Sequence, residues 1–385
     1  MIIQDAEELF ALPQIEEVEI FPYPGVKQFF YSSVPYKGKP TKVFACCGFP
    51  ENASAEAPVP GVVLIHGGGA TALANWVELW VQRGYAAIAM DCCGCVPCWA
   101  ANPYHHPWPR HEFAGPPGWG KMELAFDEVT DQWVYHALTA AILGNTLLRS
   151  FPQVDDRNIG VSGISWGGVL TLLAAAHDHR FRFAISVYGC GFFNTPDSVL
   201  PYSDPAVSDL HRSRWFELFD PGHTLDKITI PCMLLAGTND AAFPAGSLWK
   251  SVRKLNSCRQ LTVYKEYPHN HTISWQEETI WNFADSVLHD RYLPGVPETC
   301  LQHEQLTATL ENLPYAVKSA ELVYTCSKGL WRFKHWEKAP AKVKFQCGQA
   351  EISASLPRLL TTGFFNITLS DGSTISSMPF SSEQY

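Results

Sequence analysis

The 385-residue sequence predicts an α/β protein with a mostly parallel sheet flanked by helices, followed by a small all-β module. Three observations carry that reading. Apolar runs such as Gly61-Val62-Val63-Leu64-Ile65 and Ala86-Ala87-Ile88-Ala89-Met90 have no polar face, so they read as strands buried on both sides. Stretches with apolar residues at helical spacing alternate with such runs, for example Trp133, Ala137, Ala140, Ala141, Leu143 and Leu147. After Leu293-Pro294-Gly295-Val296-Pro297 the texture changes to short strand-like runs between turn residues, with no helix. The expected organisation is an α/β domain over 1–294 and a β-sandwich of immunoglobulin or fibronectin type over 295–385.

In chain order, residues 1 to about 60 open with a short helix and then strand-like runs, Val18 to Phe21, Gln28 to Tyr31 and Lys42 to Cys46. Pro and Gly turns separate them, which makes an antiparallel edge to a mixed sheet. The run ending at Ile65-His66, a helix from about Ala74 to Arg83 and the run ending at Asp91 form a βαβ unit with a right-handed crossover. Residues 92–120 interleave Pro, Gly, Trp and His, and a loop that long inside a compact domain is usually functional. A helix over about 122–150 then precedes the strand Asn158 to Gly163 and a helix from Gly167. Further strands are expected at Phe183 to Tyr188, Ile228 to Ala236 and Gln260 to Tyr267. In the carboxy-terminal module the strands are Leu306 to Leu310, Ala320 to Cys326, Trp331 to Trp336, Lys342 to Cys347, Glu351 to Leu356 and Phe364 to Leu369, with a hairpin turn at Asp371-Gly372.

Within this frame Gly163-Ile164-Ser165-Trp166-Gly167 fits G-x-S-x-G, a sharp strand-to-helix turn that presents a serine hydroxyl. A serine hydroxyl needs a base to take its proton, and the base needs an acid to fix its tautomer. Asp240 ends a predicted strand 75 residues after Ser165, and His271 follows the last strand 31 residues later. Serine, acid and histidine in that order, each after a strand, is the arrangement the chemistry requires. His269 is the rival base and is read as structural, because His271 is farther past the strand. Asp204, Asp209 and Asp220 are rivals of Asp240, but none follows a strand. An oxyanion needs converging backbone amides. The amide of Trp166 and the glycines of His66-Gly67-Gly68-Gly69, Gly68 and Gly69 in particular, are the candidates.

Residues from about 60 to 288 resemble the α/β-hydrolase superfamily, and within it bacterial dienelactone-hydrolase-like and acetyl xylan esterase-like serine esterases. The resemblance is carried by His66-Gly67-Gly68-Gly69-Ala70-Thr71-Ala72, Trp76 to Trp80, Gly84 to Asp91, Gly163 to Gly168 and Pro268-His269-Asn270-His271. It implies the α/β-hydrolase fold with Ser165, Asp240 and His271 as triad. Dienelactone hydrolases proper use a cysteine nucleophile where this chain has Ser165, so lactone specificity is not implied. The carboxy-terminal module is similar to an appended fibronectin-like domain.

The expected activity is hydrolysis of short-chain carboxylic esters, acetyl groups on sugars among them, through an acyl-enzyme. A prolyl-oligopeptidase-like peptidase uses the same triad but needs a large amino-terminal domain, and about 60 residues precede the first parallel strand here. The third reading is a silent scaffold binding carbohydrate or protein. Neither cofactor nor metal is required by the ester chemistry. Cys92-Cys93-Gly94-Cys95-Val96-Pro97-Cys98 crowds four thiols into seven residues with no second knuckle, so it reads as a packed loop rather than zinc ligands. Tyr104-His105-His106-Pro107-Trp108 and His111 read as a pocket lining or a surface loop.

Composition excludes other classes. A formal net charge of −10 disfavours nucleic acid as partner, and no apolar run is long enough for a membrane span. The amino terminus lacks the basic start and apolar run of a secretion signal. Several of the twelve cysteines lie in apolar runs, as free thiols do. The expectation is therefore a cytoplasmic protein acting on a small-molecule or carbohydrate ester. Thirteen Trp, 14 Tyr and 22 Phe suit apolar or sugar-like ligands and equally a well-filled core.

Overall fold

The computed structural model describes residues 3, 6–97, 108–302, 304–313, 315–346 and 348–382. The chain divides into two compact units, Met1–Ser186 with Tyr202–Thr224, and Val187–Pro201 with Leu225–Tyr385.

The first unit is built on a mixed sheet. Strands β1 (Ile15–Val18), β2 (Val26–Tyr36) and β3 (Lys39–Gly48) form an antiparallel meander. Strand β4 (Val59–Ile65), helix α1 (Ala74–Gln82) and strand β5 (Ala86–Met90) form the expected βαβ unit, with β4 and β5 parallel and β3 antiparallel to β5. Helix α2 (Trp133–Arg149) leads to β6 (Val154–Ile164), which is parallel to β4. Valines, isoleucines and leucines bury both faces of β4, which is why its sequence shows no alternation. Helix α2 is buried nearly all round, and Tyr31 of β2 donates from its hydroxyl to Ala140 O of that helix at 2.8 Å. Helix α3 (Trp166–His177), strand β7 (Ala184–Val187) and helix α4 (Asp209–Phe219) complete the elements that begin in this unit. Val161 N donates to Phe183 O at 2.9 Å just before β7.

The second unit holds β8 (Cys232–Gly237), α5 (Ala245–Lys254), β9 (Arg259–Tyr264), the one-turn α6 (His271–Ser274) and α7 (Glu278–Leu288). Strands β8 and β9 are parallel. The rest is all β: β10 (Thr299–Gln302), β11 (Gln305–Leu310), β12 (Val317–Thr325), β13 (Glu337–Pro340), β14 (Lys342–Gln346), β15 (Gln349–Ser355), β16 (Thr362–Leu369), β17 (Thr374–Ser376) and β18 (Phe380–Ser381). They make two antiparallel sheets, ordered β10-β11-β15-β14 and β13-β12-β16-β17, with β18 on β16. Leu306, Leu310 and Ile352 of one sheet and Leu322, Phe365 and Ile367 of the other share one core.

The texture change expected at 294/295 follows the end of α7, whereas the compact units divide elsewhere, because the carboxy-terminal strands pack on the α/β elements of the second unit. Thr262 of β9 donates to Thr374 O at 2.6 Å, and Asn366 of β16 donates to Val263 O at 2.9 Å. The expected strand Val18 to Phe21 is displaced to Ile15–Val18, and in the carboxy-terminal module one expected strand is not one. Trp331–Phe333 is a 3-10 turn, and the rings of Trp331 and Trp336 stack on one side with centroids 6.2 Å apart, where a strand would alternate them across its faces.

Candidate active site

In the first unit, β6 ends at Ile164 and α3 begins at Trp166, so Ser165 alone makes the turn between them. Its φ of 60° and ψ of −119° are conformations a side-chain-bearing residue adopts only when the surroundings impose them. The glycines impose them. A Cβ on Gly163 would lie 2.1 Å from Gly167 O, and one on Gly167 would lie 1.9 Å from Ile65 O. Strand, turn and helix close on each other only because both positions lack a side chain. As the first residue of α3, Trp166 contributes an amide among the helix-initial N–H groups that have no partner within the helix, at the positive end of its dipole.

The loop after β4 lies against the same turn. A Cβ on Gly68 would meet Trp166 Cδ1 at 3.2 Å, so Gly68 faces the Trp166 ring. The carbonyls of the loop are held from outside. His66 Nε2 accepts the Cys92 N–H at 2.9 Å, which leaves the proton on Nδ1, and Nδ1 donates to Gly67 O at 2.9 Å. Trp108 Nε1 donates to Gly69 O at 3.1 Å. Behind His66, Asp91 accepts the Cys93 and Cys95 amides on Oδ1, both at 2.7 Å, and the Thr71 hydroxyl on Oδ2 at 2.7 Å. This carboxylate ties the exits of β4 and β5 together.

Tryptophans wall the turn. Trp119, Trp133, Trp166 and Trp215 meet edge to face in succession, with centroids 5.6–5.8 Å apart, and Trp119 also meets His66 at 5.4 Å. The buried indole N–H groups are satisfied, Trp133 by Cys92 O at 2.7 Å and Trp215 by Gly120 O at 2.6 Å. Trp166 stood out in the sequence, and Trp133 did as part of the expected helix. Trp119 and Trp215 share no spacing with them and are brought in by the long loop and α4.

In the second unit, Asp240 lies three residues past the end of β8. Its Oδ1 accepts the Ala242 and Phe243 amides at 2.8 and 2.9 Å, and its Oδ2 accepts His269 Nδ1 at 2.8 Å. The Asp240 side chain is 1% exposed and that of His269 33%. The acid is thus sealed while the imidazole remains accessible. With Nδ1 donating to the carboxylate, Nε2 is the nitrogen that carries the lone pair of the neutral ring. The ring stacks on Tyr188 at 4.5 Å and lies nearly parallel to the Phe243 ring at 6.3 Å. Tyr188 donates to Pro268 O at 2.9 Å, and burial raises its hydroxyl pKa.

The sequence of residues 3–193 matches the acetyl xylan esterase family, and residues 116–289 match the prolyl oligopeptidase family. Among solved structures the chain is similar to the acetyl xylan esterase from Paenibacillus sp. R4, at 21% identity and a TM-score of 0.56 over 73% of this chain and 92% of that one. Acetyl xylan esterase 1 from Thermoanaerobacterium sp. JW/SL YS485 gives 17% identity and 0.55, over 73% and 93%. The acylaminoacyl peptidase of Pyrococcus horikoshii gives 19% and 0.51, over 74% of this chain and 43% of that one.

The chain has the α/β-hydrolase fold.

Both family matches are to serine hydrolases, and the acetyl xylan esterase match is the one that marks this chain as acting on esters. In its first unit Ser165, Gly68 and Trp166 come together at the ends of β6 and β4, and Gly69 is fixed beside them by Trp108. In its second unit the histidine that meets Asp240 is His269, which corrects the expectation of His271. The physical reason is the Asn270 side chain, which accepts the Thr272 and Ile273 amides at 2.9 and 3.3 Å and caps α6. That cap starts a helix at His271, with Asn270 the last extended residue before it, and leaves His269 ahead of the helix in the segment after β9. No spacing in Pro268-His269-Asn270-His271 decides between the two histidines, but an Asn followed by a short helical turn was a visible capping signal.

The thiols next to Asp91 are buried. Burial, reinforced by Asp91, raises the pKa of Cys92 and Cys93 well above the ordinary thiol value, and that of Cys95 is pushed up to about 12 by the same two causes. Cys98, Tyr104, His105, His106 and Pro107 lie outside the described residues, whereas Trp108 is in place on Gly69. His111 packs edge-on against Phe30 at 4.9 Å. Among the described residues no three His, Cys, Asp or Glu side chains group as metal ligands do, and no helix is long and apolar enough to cross a membrane.

Proposed function

We propose that this α/β-hydrolase is a carboxylesterase that removes short acyl groups, acetyl foremost, from small-molecule or carbohydrate alcohols, with Ser165, His269 and Asp240 as its triad. The observation that carries the reading is the Ser165 turn, a costly backbone conformation that sets a hydroxyl at the strand-to-helix bend. His269 Nε2 takes the Ser165 proton as Oγ attacks the ester carbonyl. The amides of Gly68, Gly69 and Trp166 hold the resulting oxyanion. As the tetrahedral adduct collapses, the imidazolium returns the proton to the leaving alcohol. Water then attacks the acyl-serine with the same histidine as base, which releases the carboxylic acid and restores the hydroxyl. Asp240 keeps the Nδ1 proton in place and stabilises the imidazolium.

Two facts support a small acyl group and a sugar-like alcohol. The Trp166 ring stands against Gly68 and meets Trp133 and Trp215, which narrows the space beside the nucleophile. The family matched over residues 3–193 is that of acetyl xylan esterases. Ser165→Ala should lower turnover of p-nitrophenyl acetate by ~10³-fold or more. The wild-type chain should prefer acetate to butyrate and octanoate esters and release acetate from acetylated xylo-oligosaccharides. Near-normal turnover by the Ser165→Ala chain would sink the assignment. The match of residues 116–289 to prolyl oligopeptidases supports a second reading, a peptidase. Faster cleavage of a peptide anilide than of the acetyl ester would establish it.

A further inference from the structure

We propose that the Trp331–Lys334 turn of the carboxy-terminal β-module positions the Asp240 loop, and that Asn239 is the positioning residue through which it acts. The inference rests on the catalytic reading of Asp240 and His269. It assigns the module a part in the chemistry rather than in substrate binding.

Asn239 immediately precedes Asp240, yet its side chain serves a segment more than 90 residues away. Its Nδ2 donates to Lys334 O at 2.8 Å and also faces Trp331 O and Arg332 O, each at 3.4 Å. Three carbonyls converging on one amide form an acceptor pocket that a carboxylate would be repelled from and an alanine would leave without a donor. The other end of the same side chain continues inward. Asn239 Oδ1 accepts the Thr238 hydroxyl at 2.7 Å, and Thr238 Oγ1 accepts the Glu266 N–H at 2.9 Å. Glu266 is three residues before His269. A single run of hydrogen bonds therefore links the module to the backbone on both sides of the Asp240–His269 pair.

The turn is itself anchored. Trp331 N donates to Asp197 Oδ1 at 2.7 Å, and Arg332 Nη1 donates to Asp197 O and Pro196 O at 2.7 and 3.0 Å. The Trp331 and Trp336 rings stack, and Trp249 of α5 meets Trp331 edge-on at 5.2 Å. A turn so fixed can hold Asn239, and through it the register of Asp240, without touching substrate. Simple attachment of the module would need no such placement. The bonds of Asn282 to Asp371 O and Ser373 Oγ, at 3.0 and 3.1 Å, already serve attachment at a distance in sequence from Asp240, and they supply an internal control.

The experiment uses the full chain as Asn239→Ala, Asn282→Ala and Asp240→Asn, with steady-state turnover of p-nitrophenyl acetate and the downfield proton resonance of the His269–Asp240 hydrogen bond as readouts. Asn239→Ala should lower kcat by ~10-fold or more with KM within about twofold, and broaden or abolish the downfield resonance. Asn282→Ala, which removes a comparable contact, should keep kcat within about twofold and retain the resonance. If Asn239→Ala retains kcat and the resonance while Asp240→Asn is inactive, the turn only attaches the module and the proposal fails with the triad intact. If Asp240→Asn also retains activity, the catalytic reading falls and takes the proposal with it. Should Asn239→Ala not fold, Asp197→Ala loosens the turn from its other side. It should then lower kcat in the same way, and an unchanged kcat there overturns the proposal.

Discussion

The Ser165 turn and the Asp240–His269 pair are built on opposite principles. The first is enforced by what is missing, two glycines whose side chains would collide with backbone oxygens 1.9–2.1 Å away. Its geometry is a property of the main chain, and substituting any other residue breaks it. The second is assembled from what side chains do. Amides hold Asp240 Oδ1, the Tyr188 ring stacks on His269, and Asn239 and Asn270 shape the loops on either side. Backbone exclusion leaves a trace at fixed spacing in the sequence, whereas a loop held by side chains leaves none. The difference predicts where each half tolerates change.

The largest effect should separate the two histidines. His269→Ala should lower kcat on p-nitrophenyl acetate by ~10³-fold or more, equivalent to about 4 kcal/mol of transition-state stabilisation. His271→Ala should stay within a few-fold, because Asn270 caps α6 through its own side chain and the Asp240 carboxylate is bonded to His269. Rates for the two variants in the reverse order would return the base to His271.

What the sequence disclosed follows the same line. The βαβ unit, the strand before Ser165 and the all-β module were legible because burial on both faces, helical spacing and alternation are local patterns. So were the turn at Ser165 and the place of Asp240 past β8, each set by the strand it follows. The pairing of Asp240 with His269 was not, because two histidines in one loop differ only in where the Asn270 cap bends the chain. The gathering of tryptophans around Trp166 was not, since Trp119, Trp133 and Trp215 come from three separate segments. The expected strand at Trp331 to Trp336 failed because aromatic content reads as β propensity, while the stacking of the two outer rings demands a turn.

A smaller effect tests the backbone half directly. Gly167→Ala places a methyl group 1.9 Å from Ile65 O, which β4 and α3 can relieve only by moving apart. The expected cost is about 3 kcal/mol of stability, as for overpacking in a core, with loss of the Ser165 conformation and of fluorophosphonate labelling. Asn239→Ala, on the side-chain half, should leave labelling detectable because it slows the chemistry without dismantling the turn. A Gly167→Ala chain that melts and labels like the wild type would mean that the turn does not depend on glycine.

The smallest effect concerns acid, and it belongs to the unit that holds Ser165. His136 is buried in α2, donates from Nε2 to Thr130 O at 2.9 Å, and lies 3.2 Å through Nδ1 from where a Gly115 Cβ would be. Burial lowers its pKa from 6.5 to about 4, against smaller raising contributions from that backbone bond and from Asp131. The unfolded chain therefore binds a proton below pH 6.5 that the folded chain refuses until about pH 4. A state that binds more protons gains as pH falls, so the folded unit loses stability through that window, by on the order of 2 kcal/mol between pH 8 and 5. His111, whose pKa burial also lowers, adds in the same direction. His136→Gln keeps a side-chain amide within reach of Thr130 O and removes the titration. Its denaturant midpoint should be flatter than that of the wild type between pH 8 and 5. If the two chains lose stability in parallel, the acid sensitivity lies elsewhere than α2.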